Sequence, residues 1–392
     1  MEVYNNELYK DYTVENWKTI YHFSRETQLL PNLHSLILTQ NIWITNQFFY
    51  QSRLPWLILF NPPCLQNFTT CVTDAQNPPT FSAVGASCLL RSLTNACPGL
   101  QSLDLFPTTS MEPFYQDRMF ISDLGEEDEG AEWFRHLLRL ENLQRICTTV
   151  PTLQQAGLDV FGQLPRLEHL ELTLLAENFD QDQPSLTLSP DAFPRLRQLA
   201  LNRLPDLKFF KTLWRLDAVS AYLDSISIRF DKYRWPEPMS YRELYDMISI
   251  ICECSPCISD LALYPPYEGK SNETSDIIYA LLSSLPLTRL CFAPVTPSVL
   301  DLGNRTSIYP ELRRLELPTL WTRLVDLRLI AQCFPNLDYL ALELTATPQQ
   351  WTDACANPAT PYHSRTISLL VVDVFLHGEQ HGRKVKEHEI ER

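Results

Sequence analysis

Leucines in this chain recur in one fixed order: leucine, two residues, leucine, one residue, leucine, with a proline two residues ahead. Six copies are exact: Pro31/Leu33/Leu36/Leu38, Pro98/Leu100/Leu103/Leu105, Pro165/Leu167/Leu170/Leu172, Pro194/Leu196/Leu199/Leu201, Pro310/Leu312/Leu315/Leu317 and Pro335/Leu337/Leu340/Leu342. The closing Leu-x-Leu has period 2, which predicts a short strand with both leucines on one face. The earlier leucine falls at the turn entering that strand. Proline before it fixes φ and lacks an N–H, so a preceding helix must end there.

Admitting other apolar residues extends the series through Leu65/Phe68, Leu143/Ile146, Leu223/Ile226/Ile228, Ile258/Leu261/Leu263, Leu287/Leu290/Phe292 and Ile367/Leu370/Val372. The mean step is then about 30 residues, slightly above the usual leucine-rich range. No single coil can bury its leucine face alone, so consecutive coils must stack. Two other strings, Leu54/Leu57/Leu59 and Leu324/Leu327/Leu329, match the spacing without the leading proline. The first competes with Leu65 for the second strand, and the second reads as helix.

Between the strands the period changes to that of a helix. Residues 241–254 carry Leu244, Met247, Ile248, Ile251 and Cys252 on one stripe, with Ser240 and Glu243 as a capping box. Residues 275–285 repeat the stripe with Ile277, Ile278, Leu281, Leu282 and Leu285, and Thr347-Pro348-Gln349-Gln350 is another helix start. Strands alternating with helices at this period predict an α/β leucine-rich-repeat solenoid, a curved horseshoe with parallel strands on the concave side and helices on the convex side. Three segments are expected: a capping helix segment over 1–30, about twelve repeats over 31–376 as one elongated domain, and a polar tail over 377–392. An acidic insertion near 107–132 lengthens one repeat.

Composition narrows the function classes. The net charge of −15 opposes nucleic-acid binding, which needs basic surface. The first residues carry no apolar signal segment, and no apolar run reaches membrane-spanning length. The expectation is an intracellular protein, cytoplasmic or nuclear, with protein partners, no nucleic acid and no membrane; its oligomeric state is open. Glycosylation-type strings at Asn67, Asn272 and Asn304 then carry no weight. Eleven cysteines in mostly apolar settings fit reduced thiols. Cys252, Cys254 and Cys257 form the one local cluster; as a zinc site it lacks a fourth ligand, with Cys291 on the neighbouring strand, and the structural reading is preferred. The acidic run Asp123–Glu132 reads as a solvated loop, with docking of a basic segment as the alternative.

No nucleotide-binding glycine loop and no nucleophile elbow occurs, so no catalytic residue, cofactor or metal is expected. His377 and His381 do not form a metalloprotease motif. His169 and Glu171 flank Leu170 and point to the concave face as ordinary polar groups. Asp104, Gln198, Asn202, Asp260 and Glu316 share that face. Its aromatic and arginine members, Phe106, Arg229, Tyr264, Arg289, Arg314 and Tyr339, are the residue types that most often dominate protein interfaces. They are the candidate partner-binding residues.

The strings Leu30-Pro31-Asn32-Leu33, Cys97-Pro98-Gly99-Leu100, Phe193-Pro194-Arg195-Leu196 and Cys333-Phe334-Pro335-Asn336-Leu337 resemble the irregular leucine-rich repeats of F-box proteins, especially the fungal group. The resemblance lies in the repeats, over roughly 15–376. It implies capture of a protein substrate for a Skp-cullin ubiquitin ligase. An L-P-x-E start and a V-C-x-x-W close, the marks of an F-box, are not found here. The asparagine ladder of regular repeats is mostly missing, Asn41 excepted. The expected function is a non-enzymatic protein-interaction module, with a regulator of an enzyme such as a GTPase activator as the alternative.

Overall fold

The structure is a computed structural model. It describes residues 30–39, 57–58, 61–71, 80–108, 133–150, 155–174, 186–204, 206–230, 239–266, 275–292, 309–323, 334–346 and 369–376, with positions 16, 19–20, 22–23 and 330. Asn41, the acidic run Asp123–Glu132, the helix start at Thr347 and the tail after Leu376 lie outside the described residues. The chain divides into two compact units, Met1–Arg203 and Leu204–Arg392.

The first unit carries β1 (Ser35–Thr39), β2 (Asn67–Cys71), β3 (Thr80–Ser82), β4 (Ser102–Thr108), β5 (Arg145–Val150), β6 (His169–Leu174) and β7 (Gln198–Leu204). All but β3 lie side by side in chain order and in parallel. Their register stacks the second leucine position of each repeat on the next: Leu36, Phe68, Leu103, Ile146, Leu170 and Leu199. Each of these side chains is at most 2% exposed. Burying one such side chain contributes about 1.5–3 kcal/mol, so the stack is the main cohesive element of the unit.

The second unit repeats the scheme with β8 (Ser225–Phe230), β9 (Asp260–Tyr264), β10 (Arg289–Phe292), β11 (Arg314–Arg323), β12 (Tyr339–Ala346) and β13 (Leu369–Leu376). Its stack is Ile226, Leu261, Leu290, Leu315, Leu340 and Leu370. Every one of the twelve strands read from the leucine spacing is present. The fold is an α/β leucine-rich-repeat solenoid.

The recurring spacing of proline and leucine has a more specific cause than helix termination. Each proline stands second in a β-turn, where its fixed φ is already correct. The first leucine of the motif closes that turn: Leu33 N–H donates to Leu30 carbonyl at 3.1 Å, Leu100 to Cys97 at 3.1 Å and Leu337 to Phe334 at 3.3 Å. One backbone carbonyl then accepts two N–H groups from the following coil. His34 receives Gln66 and Asn67, Gln101 receives Gln144 and Arg145, and Ser259 receives Thr288 and Arg289.

Side chains add rungs that replace the missing asparagine ladder. Asn142 Nδ2 donates to Pro98 carbonyl at 3.0 Å, and Asn336 Nδ2 to Pro310 carbonyl at 2.8 Å. Cys64 Sγ donates to Pro31 carbonyl from the same place in its repeat. Cys97, buried with its thiol pushed up to about 12 by desolvation and by Cys64, reaches Pro62 carbonyl at 3.1 Å.

Helices occupy the intervals. In the first unit α1 (Ala83–Ala96) is capped by Ser82, whose Oγ accepts from Gly85 N–H at 3.1 Å. A 3-10 helix spans Trp133–Arg139, and α2 (Gln155–Gly162) ends against Ala192. A Cβ on Gly162 would lie 2.9 Å from Ala192 Cβ, so only glycine fits that approach. In the second unit α3 (Leu207–Trp214) and α4 (Asp217–Ser220) precede α5 (Tyr241–Cys254) and α6 (Ser275–Leu282). The α5 capping box forms as expected: Ser240 N–H donates to Glu243 Oε2 at 2.8 Å and Glu243 N–H to Ser240 Oγ at 3.3 Å. Leu244, Met247, Ile248 and Ile251 are fully buried.

Several expectations change. The strand β3, paired with the end of β4, was not legible in the leucine pattern. The competing register at Leu54 is resolved, since Leu57 and Ile58 are helical and the second strand begins at Asn67. Cys252 is half-buried at the edge of the α5 stripe, where its thiol donates to Leu281 carbonyl at 3.7 Å.

Candidate functional site

Residues between and beside the inner leucines point to the opposite sheet face, and parallel register gathers them into lateral rows. In the second unit one row runs Ser225, Asp260, Arg289, Arg314 and Tyr339. The next row runs Ser227, Ala262, Cys291, Glu316 and Ala341, small residues except for the glutamate. Arg229 and Tyr264 are lateral partners one step further along.

Five of the six candidate partner-binding residues therefore fall on this one face. The Arg229 guanidinium sits 4.3 Å from the Tyr264 ring centre, and that of Arg314 sits 4.1 Å from Tyr339. Arg289 bridges Asp260 at 3.3 Å and Glu316 at 3.1 Å, and Arg314 Nε reaches Glu316 at 2.6 Å. Burial alone would lower the Arg289 pKa, but Asp260 and Glu316 outweigh it and hold the guanidinium charged. Cys291 Sγ lies 3.1 Å from Tyr264 Oη, and burial pushes the phenol up to about 12. Arg289 and Arg314 side chains stay 37% and 43% exposed, so they are ordered by neighbours yet open to a partner.

The sixth candidate, Phe106, does not join them. It belongs to the first unit and is only 4% exposed, beside the point where β3 pairs with β4. Its position after the last leucine of the repeat predicts an outward, exposed side chain, and the structure buries it instead.

The first unit carries a different set at the matching places. Ser102, Arg145, His169 and Gln198 form one row, and Asp104, Cys147, Glu171 and Ala200 form the next. Arg145 binds Asp104 at 2.5 Å and Ser102 at 3.2 Å, with its other amino group 4.0 Å from Glu171. Cys147 Sγ donates to Glu171 Oε2 at 3.0 Å, while Asn202 Nδ2 donates to Glu171 Oε1 at 2.8 Å. His169 Nδ1 contacts Gln198 Oε1 at 2.8 Å, and its Nε2 lies 3.8 Å from Glu171 Oε2.

Burial alone would raise the Glu171 pKa, but His169, Cys147 and Asn202 more than offset it and hold the carboxyl at about 2. Glu171 is thus a firm anion. Burial, with the Glu171 charge beside it, pushes the Cys147 thiol far up. From the sequence His169 and Glu171 read as ordinary polar residues, and Cys147 as one of the reduced thiols. The signal was available: aligning Ile146 on Leu170 places Cys147 directly beside Glu171. By contrast, Cys252, Cys254 and Cys257 do not converge with Cys291. Among the described residues, the one group of three or more His, Cys, Asp or Glu donors able to share an ion is Cys147, His169 and Glu171.

Among the described residues no helix is long and apolar enough to cross a membrane. No protein-family model matches the chain. No curated protein matches it. Among solved structures it is similar to an internalin (inlF) from Listeria monocytogenes, with a TM-score of 0.31 and 11% identity over 84% of this chain and 89% of that one. It is similar also to TLR13 in its complex with ssRNA13, with a TM-score of 0.29 and 12% identity over 96% of this chain and 54% of that one.

Proposed function

We propose that the protein is a non-enzymatic protein–protein interaction module, and that the outward sheet face of β8–β12 is its docking surface. The observation that carries this reading is the ordered array of Arg229, Tyr264, Arg289, Arg314 and Tyr339. Two arginines are stacked on tyrosines, and Arg289 and Arg314 are tied together through Glu316, so little rotamer freedom remains to be lost on binding. Arginine and tyrosine are also the groups that dominate interface energetics. The array mixes cations with aromatic faces and keeps Asp260 and Glu316 within it. That chemistry fits a folded protein or peptide offering both carboxylates and apolar side chains.

In its finer form the bound protein is a substrate presented to a ubiquitin ligase, as the likeness of the repeats to those of F-box proteins implies. Affinity isolation from the native host tests both levels. The wild type is compared with Tyr264→Ala/Arg289→Ala/Arg314→Ala, with the convex control Arg242→Ala/Glu253→Ala on α5, and with a deletion of Asp123–Glu132. The proposal expects one partner set, lost only with the concave variant. Retention by that variant, with loss on deleting the acidic run, moves the site to the insertion and overturns it. A Skp-type adaptor and a cullin among the partners support the ligase form; a GTPase in their place contradicts that form and points to an enzyme regulator.

A further inference from the structure

The cluster on β5 and β6 has the makings of a metal site. Three donors of different chemistry converge there: a thiol, an imidazole and a carboxylate, all with ligand atoms within 4.8 Å of one another. Two come from laterally paired positions, Cys147 and Glu171, and the third, His169, lies two residues before Glu171 on the same sheet face. The placement is fixed by backbone register and not by long flexible loops.

The surrounding contacts orient each donor. Asn202 occupies Glu171 Oε1, which leaves Oε2 turned to Cys147 and His169. Gln198 Oε1 is an acceptor, so Nδ1 is the nitrogen that donates to it, and Nε2 is the one left facing the thiol and the carboxylate. That Nε2 atom is buried without a hydrogen-bond partner. A histidine held through one nitrogen by an outer acceptor, with the other nitrogen free beside a thiol and a carboxylate, is the arrangement metal-binding histidines adopt.

We propose that Cys147 Sγ, His169 Nε2 and Glu171 Oε2 bind one borderline divalent cation of the zinc class. Mixed sulfur, nitrogen and oxygen donors select that class over magnesium or calcium. On binding, the Cys147 S–H bond breaks, its proton leaves to solvent and a sulfur–metal bond forms. Three protein donors leave a fourth tetrahedral position for water. Arg145 is the opposing charge: Asp104 and Ser102 hold its Nη1, and its Nη2 lies 4.0 Å from Glu171 Oε2. With the thiolate formed, Asp104, Glu171 and Cys147 outweigh Arg145 by two negative charges, which one divalent ion neutralises.

The test uses the purified full-length chain stripped of metal and titrated with Co²⁺. One equivalent should bind with a thiolate-to-cobalt charge-transfer absorption, and Zn²⁺ should displace it. Cys147→Ser should abolish the absorption. Gln198→Leu, which removes only the outer support of His169, should weaken affinity about 10- to 100-fold. Cys252→Ser/Cys254→Ser should leave the signal intact. Folding of each variant is checked by circular dichroism. X-ray absorption at the zinc edge of the wild type gives an answer independent of any variant, expected as one sulfur among nitrogen and oxygen neighbours. Absence of the absorption in folded wild type, its survival in Cys147→Ser, its loss in the Cys252/Cys254 variant, or a zinc shell without sulfur or with several would each overturn the assignment.

Discussion

The two units place a cysteine beside a glutamate at corresponding positions of adjacent strands, Cys147 with Glu171 and Cys291 with Glu316. Their surroundings send the pairs in opposite directions. Two residues before Glu316 stands Arg314, and Arg289 closes on the same carboxylate from the other side. Cys291 meanwhile turns to Tyr264. The acid is saturated by guanidinium groups and the face presents cations and rings. Two residues before Glu171 stands His169, and the nearest arginine is diverted to Asp104. There the acid keeps an oxygen turned to a thiol and an unpaired nitrogen. One scaffold therefore yields a surface suited to recognition in one unit and a donor cluster in the other, by changing the residue two before the acid and the partners of one arginine.

The comparison presumes that the leucine stacks set these registers, and the largest expected effect breaks them. Leu170→Asp or Leu315→Asp puts an uncompensated charge at a position 1% exposed, at a cost of about 3–5 kcal/mol. Thermal melting should show loss of the native transition, and an unchanged melt would contradict the strand assignment. Limited proteolysis of the same variants sharpens the picture. Under the single-domain expectation both units lose protection together, whereas cleavage confined to 1–203 in Leu170→Asp would divide the array in two.

Smaller effects probe each unit separately. Gly162→Ala forces a Cβ to 2.9 Å from that of Ala192 and should destabilise the first unit by about 1–3 kcal/mol in chemical denaturation. In the second unit, Ser240→Ala removes the Oγ that accepts from Glu243 N–H in the α5 cap, while the backbone N–H of position 240 keeps its bond to Glu243, at a cost of about 1 kcal/mol. The smallest stability change is expected for His169→Arg, which copies the residue preceding Glu316 onto the first unit. Its melting temperature should stay near that of the wild type while cobalt absorption disappears. Retention of that absorption would show that His169 is not what distinguishes the two faces.

The leucine spacing made the strands legible because each inward position is set by local period. Lateral chemistry is not local: Cys147 and Glu171 are separated by 23 intervening residues and meet only when one repeat is laid on the next. The same alignment brings Arg289 between Asp260 and Glu316, so the candidate face of the second unit was legible as a list of outward residues but not as a network. Phe106 misled because period 2 predicts its direction without predicting β3 beside it. The thiols of Cys64 and Cys97 read as apolar filler, although their donors serve proline carbonyls of the preceding coil.

The central claim is that the second unit's Arg–Tyr face carries the binding of a protein partner. The most direct measurement is the dissociation constant of the isolated partner against two variants of equal size, Tyr264→Ala/Arg289→Ala/Arg314→Ala and Arg145→Ala/His169→Ala/Gln198→Ala. At about 1–3 kcal/mol per truncated anchor, the first should weaken binding by at least about 100-fold. The second should change it by no more than a few-fold. Equal losses, or a loss confined to the first unit's variant, would contradict the account.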